Sequence, residues 1–385
     1  MRPTFKAILL LLPLLFVQAV YPAGRGGDIN SDLLKAAAAG DTAEMKQLLK
    51  QGADVDARGE NGLTVLMIAA REGSIEAVKA VVDAGAGVNA KDEFSRTALM
   101  WAAFYGHTET IKALIDAGAD VNAKDGFSRT ALMTAARESR TETVKALIEA
   151  GADLNARDRS SATVFMRAAD TGHAETVKIL IDAGVDVNAM KEDGTTALMV
   201  AVRSNRMEAV KVLIDADVDV NAKTNDGVTA LIRAAGDGRT EMVKTLIEAG
   251  ADVYAKSIFG TTSLMLAARN GHAETVKALI DVGSDVNAMT GIGTTALMGA
   301  AISGNAEIAK MLMDVNADVN VKDIEDRTAL MHAAKRGQTE VVKILIDANA
   351  DVNVKDMEDQ TAMMYAEGKG HTEIVELLKQ AGAEE

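Results

Sequence analysis

The sequence predicts an all-α repeat protein, a solenoid in which pairs of short helices follow one another along the chain. Three observations predict this fold class. The same residue types recur every 33 positions over residues 26–385, without insertion or deletion. Each period holds two apolar runs with helical spacing, separated by a turn position that is usually glycine. Aromatic residues make up only 3% of the chain, and alanines recur at the helix positions, so helices can pack closely through small side chains.

Threonine marks the period most clearly. It occupies one position in ten successive units: Thr64, Thr97, Thr130, Thr163, Thr196, Thr229, Thr262, Thr295, Thr328 and Thr361. A fixed period of this length is the signature of a repeat array. Because repeat arrays grow in one dimension, 385 residues need not divide into two or three globular domains.

The unit 92–124 shows why each period should form two helices. Thr97 predicts an N-cap, because its hydroxyl can accept a hydrogen bond from an unpaired helix N–H. Leu99, Ala102 and Ala103 follow at i, i+3 and i+4 spacing and predict the buried face. Gly106 predicts the end of this first helix.

The second helix of the unit has its own signals. Glu109 predicts its first turn, where the helix dipole favours a negative charge. Ile111, Leu114 and Ile115 predict its buried face, and Gly118 predicts a left-handed C-cap. An extended, hairpin-like loop then leads to the next unit.

These features resemble the ankyrin-repeat family, whose repeats have this length and a Thr-Pro-Leu-His-x-Ala signature. The signature stands here as Thr-Ala-Leu-Met-Trp-Ala at 97–102, with Gly-His-x-Glu at 106–109 and Gly-Ala-Asp-Val-Asn-Ala at 118–123. The family's proline is absent, and its histidine is methionine in nine of ten units. This form is similar to bacterial ankyrin proteins. The resemblance implies eleven helix–turn–helix repeats, each with a β-hairpin-like loop.

The resemblance also suggests boundaries. We predict an N-terminal cap repeat at 26–58, nine internal repeats at 59–355 and a C-terminal cap repeat at 356–385. Glu367 and Lys379 place charges where other units have apolar core residues, and Glu44 does so in the first unit. A terminal repeat needs such a polar outer face because nothing stacks on it.

The first residues have the features of an export signal. Arg2 and Lys6 form a basic region, 7–17 is apolar, and the residues up to Ala19 suit cleavage after it. A buried N-terminal helix is the alternative interpretation. We predict a signal peptide at 1–19, a short linker at 20–25 and a periplasmic or secreted protein. No membrane span is expected after cleavage, since no other apolar stretch is long enough.

Composition and motif content argue against several functions. A net charge of -15 repels phosphate backbones, so we expect no nucleic-acid partner. The chain has no cysteine, and its histidines and carboxylates recur with the period instead of converging on a cleft. We therefore expect no enzyme activity and no cofactor. The 19 methionines could bind soft metal ions. Most recur once per repeat, about 9–10 Å apart, which favours core filling and no metal site.

The residues that vary between units indicate where a partner could bind. Trp101, Phe104 and Tyr105 lie opposite the predicted buried face, and Phe94 and Phe127 lie at loop tips. Arginines recur at variable positions of the same, concave side. The rings could instead fill grooves between helices, and the arginines could form a solvated face. The predicted partner-binding residues are Phe94, Arg96, Trp101, Phe104, Tyr105, Phe127, Arg129, Arg137, Arg167, Arg203 and Arg233.

The sequence thus predicts an exported, non-enzymatic and monomeric adaptor that binds a protein partner through its concave face. A secreted effector that engages a host protein is the alternative. Metal buffering through methionine is a third and less favoured possibility.

Overall fold

The computed structural model describes residues 28–384, and this part of the chain contains 22 α-helices and no β-strand. The predicted signal peptide and linker lie outside the described residues. The first helices of the pairs are α1 (Ile29–Ala39), α3 (Val65–Glu72), α5 (Ala98–Tyr105), α7 (Ala131–Arg137), α9 (Val164–Thr171), α11 (Ala197–Arg203), α13 (Ala230–Gly236), α15 (Ser263–Asn270), α17 (Ala296–Ser303), α19 (Ala329–Arg336) and α21 (Ala362–Lys369).

The second helices complete the pairs. They are α2 (Thr42–Lys50), α4 (Ile75–Asp83), α6 (Thr108–Asp116), α8 (Thr141–Glu149), α10 (Ala174–Asp182), α12 (Met207–Asp215), α14 (Thr240–Glu248), α16 (Ala273–Asp281), α18 (Ala306–Asp314), α20 (Thr339–Asp347) and α22 (Thr372–Gln380). A short 3₁₀ turn at Glu60–Gly62 precedes α3.

The predicted helix ends are confirmed in the unit 92–124. The Thr97 hydroxyl accepts the N–H of Met100 at the start of α5. Gly106 ends the helix in the left-handed region at φ 81°. The left-handed backbone favours glycine there, and a Cβ at Gly106 would also lie 2.7 Å from the Cδ of Arg140, so that side chain would have to move.

The predicted buried faces are confirmed with one difference. Leu99, Ala102 and Ala103 are almost fully buried in α5, as are Ile111 and Leu114 in α6. Ile115 is only half-buried, because the second helix turns one side of that row toward solvent. The core is thus built from leucine and small alanine side chains, and each fully buried leucine contributes about 1.5–3 kcal/mol.

The described residues form two compact units, which we call the N-terminal unit (28–153) and the C-terminal unit (154–384). Within each, a first helix packs on its own second helix and on the next first helix. In the N-terminal unit α5 contacts α6 and α7, and in the C-terminal unit α15 contacts α16 and α17. The helix pairs therefore pack consecutively, as the solenoid prediction requires.

An asparagine in the loop joins adjacent repeats in both units. Asn89 Oδ1 accepts the N–H of Asp120 at 2.7 Å, and its Nδ2 donates to the carbonyl of Gly118 at 3.0 Å. Asn221 makes the same pair of bonds to Asp252 and Gly250. This explains the recurring Val-Asn of the repeat, since the amide supplies both a donor and an acceptor to the next loop.

The residue after the turn glycine also has a structural role. His107 Nε2 lies 2.9 Å from the carbonyl oxygen of Arg71, and Arg140 Nε donates to the carbonyl of Phe104 at 3.1 Å. Both carbonyls lie at or near the C-terminal end of the preceding first helix. Basic side chains satisfy such unpaired carbonyls and favour the negative end of the helix dipole.

Candidate protein-binding surface

The loop before α5 is held by a buried carboxylate. One oxygen of Asp92 accepts the N–H groups of Phe94 and Arg96, at 2.9 and 2.8 Å. The second oxygen accepts Nε of Arg96 at 2.8 Å. Ser95 closes the turn at φ 60°. These bonds fix the loop, and the ring of Phe94 remains 45% exposed at its tip.

Phe94, Arg96, Trp101, Phe104 and Tyr105 form one cluster, which we call the aromatic patch. The Arg96 guanidinium carbon lies 4.1 Å from the centre of the Trp101 ring and 4.9 Å from that of Phe94. Trp101 stacks toward Tyr105 at 6.5 Å, and Phe104 meets Tyr105 edge-on at 5.0 Å. Rings and guanidinium groups in such contact hold their side chains in place before a partner arrives.

Trp101 is less exposed than its position on the helix predicts. The ring is half-buried, and its Nε1 is shielded from solvent without a hydrogen-bond acceptor. Arg96 covers the ring face, which a reading of α5 alone does not anticipate. Phe104 is also half-buried, whereas Tyr105 lies at the exposed edge of the patch. The indole N–H is therefore a buried donor without an acceptor, which is unusual in a folded protein.

The next loop repeats this arrangement. Asp125 accepts the N–H of Phe127 at 2.8 Å and pairs with the Arg129 guanidinium at 2.7 Å. The Arg129 carbon lies 5.0 Å from the Phe127 ring centre. The N–H of Gly126 donates to the carbonyl of Phe94 at 2.8 Å, so the two tips are neighbours. Phe127 therefore extends the aromatic patch by one repeat.

The structure separates the predicted arginines into two groups. In the N-terminal unit, Arg137 pairs with Glu138 at 2.8 Å, beside the paired Arg96 and Arg129. In the C-terminal unit, Arg167 pairs with the buried Asp158. Arg203 and Arg233 differ.

Arg203 has its nearest carboxylate at 3.8 Å, on Asp170. Arg233 is exposed, and no carboxylate lies within 4.0 Å of it in the described residues. Among the predicted arginines, Arg203 thus has one long ion pair and Arg233 has none within the described residues.

The sequence reasoning missed a row of apolar loop tips in the C-terminal unit. Their side chains are 57–72% exposed: Ile258, Phe259, Ile292, Ile324 and Met357. Backbone bonds join neighbouring tips, for example from Gly291 N–H to the carbonyl of Phe259 at 2.9 Å. The signal was present, because these residues occupy the repeat positions of Glu93 and Phe94. The sequence prediction rested on the aromatic residues clustered in the unit 92–124, whereas Phe259 is the single aromatic residue among these tips.

The comparison with known families agrees with this architecture. The family model described as ankyrin repeats (3 copies) matches residues 33–125, 124–191, 165–257, 254–323 and 315–385. These matches cover most of the chain. It belongs to the ankyrin-repeat family. Among the curated proteins, none matches the chain.

Ankyrin repeats are interaction modules and are generally non-enzymatic, which suggests a protein-binding scaffold here. In the ankyrin repeats of residues 28–384, no helix is both long and apolar enough to cross a bilayer. Within the same residues, no group of three or more histidines and carboxylates has the arrangement of a metal site. The recurring methionines, such as Met67, Met100 and Met133, are buried among the helices.

Titratable groups with shifted pKa values in these ankyrin repeats owe the shift to burial or to the hydrogen bonds and charges of nearby side chains. Burial favours a higher pKa for Asp158, but hydrogen bonds from Arg167 and Ser160 outweigh burial and lower that pKa. Burial raises the pKa of Tyr365, and its hydrogen bond to Asp356 raises it further. Such groups close loops and anchor helices. They stabilise the scaffold and are not grouped around a cleft as acid–base catalysts are.

Proposed function

We propose that the chain is an exported, non-enzymatic scaffold that holds a protein partner on the aromatic patch of the N-terminal unit. The observation that carries the proposal is the patch itself. It brings Phe94, Arg96, Trp101, Phe104 and Tyr105 together on the first-helix side, beside a second loop with the same design.

The chemistry of the patch supports a protein partner. Tryptophan, tyrosine and arginine dominate binding hot spots, because they offer large contact areas together with polar groups. Here Asp92 holds Arg96, and the rings pack on one another, so little side-chain freedom remains to be lost on binding.

Export is proposed from the leader, residues 1–19, whose basic and apolar segments have the pattern of a signal peptide. The destination is the periplasm or the exterior. The acidic balance supports a protein partner over nucleic acid. We further propose that the scaffold acts as a monomer. In the effector alternative, the same patch engages a host protein outside the cell.

A capture experiment with exchanged repeat residues tests this proposal. The bait is residues 20–385 against envelope, medium and host-cell extracts, beside a variant with Phe94→Ser, Phe104→Arg, Tyr105→Glu and Phe127→Ser. Each new residue is the one that another repeat has at that position: Ser160, Arg71 or Arg137, and Glu72 or Glu138. The exchanges should therefore preserve the fold. The expected result is a specific partner whose capture falls by about tenfold or more, as for the loss of hot-spot residues.

The matched control removes exposed charges from the opposite helix of the same unit. Glu109→Ala and Lys112→Ala delete an exposed ion pair of α6 and should leave capture unchanged. Equal capture by the exchange variant would reject the patch as the binding site. Absence of any specific partner in all three extracts would reject the scaffold, and a partner found only in host extract would favour the effector alternative.

A further inference from the structure

A row of exposed arginines crosses the C-terminal unit. Arg203 lies on α11, Arg233 on α13 and Arg269 on α15, and all three are exposed. The nearest carboxylate to Arg203 is 3.8 Å away, and Arg233 and Arg269 have none within 4.0 Å in the described residues. A row of three exposed arginines that share only one long ion pair, between Arg203 and Asp170, is unexpected in a chain with a net charge of -15. It marks where a negatively charged group from outside would be attracted.

The three arginines lie on consecutively packed helices. α11 contacts α13, and α13 contacts α15. Packed helices lie about 8–10 Å apart, so the row spans about 16–20 Å. Arg203 and Arg269 share one repeat position, and Arg233 lies one helical turn before it.

Two glycines lie on helices close to the row. Gly236 and Gly299 have no side chain where other repeats have larger residues, and Leu266 between them is half-buried. A Cβ at Gly299 would lie 3.2 Å from the Cβ of Arg269, and one at Gly236 would lie 3.2 Å from Cδ1 of Leu266. The glycines therefore let neighbouring first helices approach closely around Leu266.

Apolar loop tips form the opposite edge. Phe259 is 69% exposed and Ile292 57% exposed, on loops joined by the Gly291 to Phe259 backbone bond. The tips of the two preceding loops instead carry the exposed Asp193 and Asp226. A ligand on this surface thus meets apolar side chains and carboxylates at the tips, and arginines on the helices.

We propose that this surface binds an acidic amphipathic helix of a protein partner. Its carboxylates would pair with Arg203, Arg233 and Arg269, and its apolar side chains would cover Leu266, Phe259 and Ile292. The proposal rests on the scaffold function and names the chemistry of one partner segment. Arginine favours carboxylates because its planar group can bind both oxygens.

Spacing supports a helix as the ligand. Seven residues of an α-helix advance about 10.5 Å, close to the spacing between packed helices. A glutamate repeated once per heptad therefore meets successive arginines, with leucines on the adjoining stripe facing the apolar tips. Asp193 and Asp226 repel the acidic side of such a helix and direct it toward the arginines.

Binding of a synthetic peptide to residues 20–385 tests the proposal. The probe is a fluorescent helix of about three heptads with glutamates on one stripe and leucines on the next, and its anisotropy reports binding. The expected result is saturable binding that weakens with added salt. The variant Arg203→Gln, Arg233→Gln, Arg269→Gln should bind about tenfold or more weakly, because it removes every charged contact.

Two controls isolate the arginine row. Lys211→Gln, Lys244→Gln and Lys277→Gln remove three exposed charges from the second helices of the same three repeats and should leave binding unchanged. The aromatic-patch exchange variant should also bind the peptide normally. Failure of the patch proposal is thus distinguishable from failure of this one.

Three outcomes would overturn the inference. The first is the absence of saturable binding by the glutamate peptide. The second is equal binding by the three-arginine variant. The third is tighter binding of a peptide with lysine in place of glutamate, or of single-stranded DNA. Weaker binding by a Phe259→Ser, Ile292→Ser variant would add that the apolar tips contribute.

Discussion

Two repeats of the C-terminal unit use arginine for different purposes, and one loop residue explains the difference. Arg167 and Arg233 occupy the same repeat position. Arg167 pairs with Asp158 at the start of its loop, whereas the equivalent residue for Arg233 is Thr224. The Thr224 hydroxyl closes the turn by accepting the N–H of Val228 at 3.1 Å, as Asp158 does through one oxygen for Ala162. A hydroxyl has no second oxygen for the arginine.

The same contrast distinguishes the N-terminal unit from the middle of the C-terminal unit. Asp92 and Asp125 close their loops and hold Arg96 and Arg129 against aromatic rings. Ser257 closes its loop through a hydroxyl, and the repeat position of Arg96 and Arg129 is Thr261 there. At the position of Arg167 and Arg233, the residue that closes the loop thus determines whether the arginine is paired.

Replacing a buried alanine of a first helix with leucine should have the largest effect on stability. The effect should be equal in both units. Ala102→Leu and Ala267→Leu each insert a larger side chain at a fully buried position, with an expected loss of about 1–3 kcal/mol. Chemical denaturation measures both. Phe94→Ser is the surface control and should change stability by less than about 0.5 kcal/mol. A large difference between the two leucine variants would show that the buried layers are not equivalent.

Deleting a paired arginine should cost more than deleting an unpaired one. Arg96→Ala leaves a buried oxygen of Asp92 without its cation, and we expect a loss of about 1–2 kcal/mol. Arg233→Ala should stay within about 0.5 kcal/mol of the parent chain. Equal losses in the unfolding free energy would contradict the division of the arginines into two groups.

Removing a buried hydroxyl should increase stability. Ser263 begins α15, its Oγ is buried without a hydrogen-bond partner, and other repeats have alanine or valine there. Ser263→Ala should therefore gain about 1 kcal/mol. Ala98→Ser introduces the reverse change in the N-terminal unit and should lose a similar amount. A loss of stability in Ser263→Ala would indicate that a water molecule satisfies the hydroxyl.

Replacing the loop residue Thr224 with aspartate should convert Arg233 from an unpaired to a paired arginine. Thr224→Asp gives Arg233 a carboxylate, as Asp158 gives Arg167, with an expected gain of about 0.5 kcal/mol. The same change should weaken binding of the acidic peptide, because one of its three cations is now paired. Unchanged peptide affinity together with a stabilised fold would remove Arg233 from the binding surface.

The smallest expected effect is the contribution of the Asp158–Arg167 ion pair to stability, and it should be measurable at acidic pH. The pKa of Asp158 is lower in the fold than its ordinary value of 3.8, so its pairing stabilises the chain above that pH. The contribution is lost as the pH falls through the folded-state pKa. We expect the parent chain to lose more stability than Asp158→Thr between about pH 5 and 3. Parallel curves from denaturant titrations at each pH would contradict a role for this ion pair.

Much of the fold could be predicted because its signals are local and repeated. Thr97, Leu99 and Gly106 mark the cap, the buried face and the end of one helix, and the structure confirms each of them. The partner-binding role of the aromatic patch remains a prediction from sequence that the geometry supports. The signal peptide also remains a prediction from sequence.

The sequence by itself thus determined the helix pairs, their ends and the alanine layer, because these depend on neighbours within a few residues and recur with the period. Only the tertiary structure decided which charges stay available. It folds Arg96 back over Trp101, pairs Arg167 with Asp158 and leaves Arg233 unpaired. The reason is that helix formation depends on residues close in sequence. The partner of a long charged side chain depends instead on which atoms the folded loop places beside it.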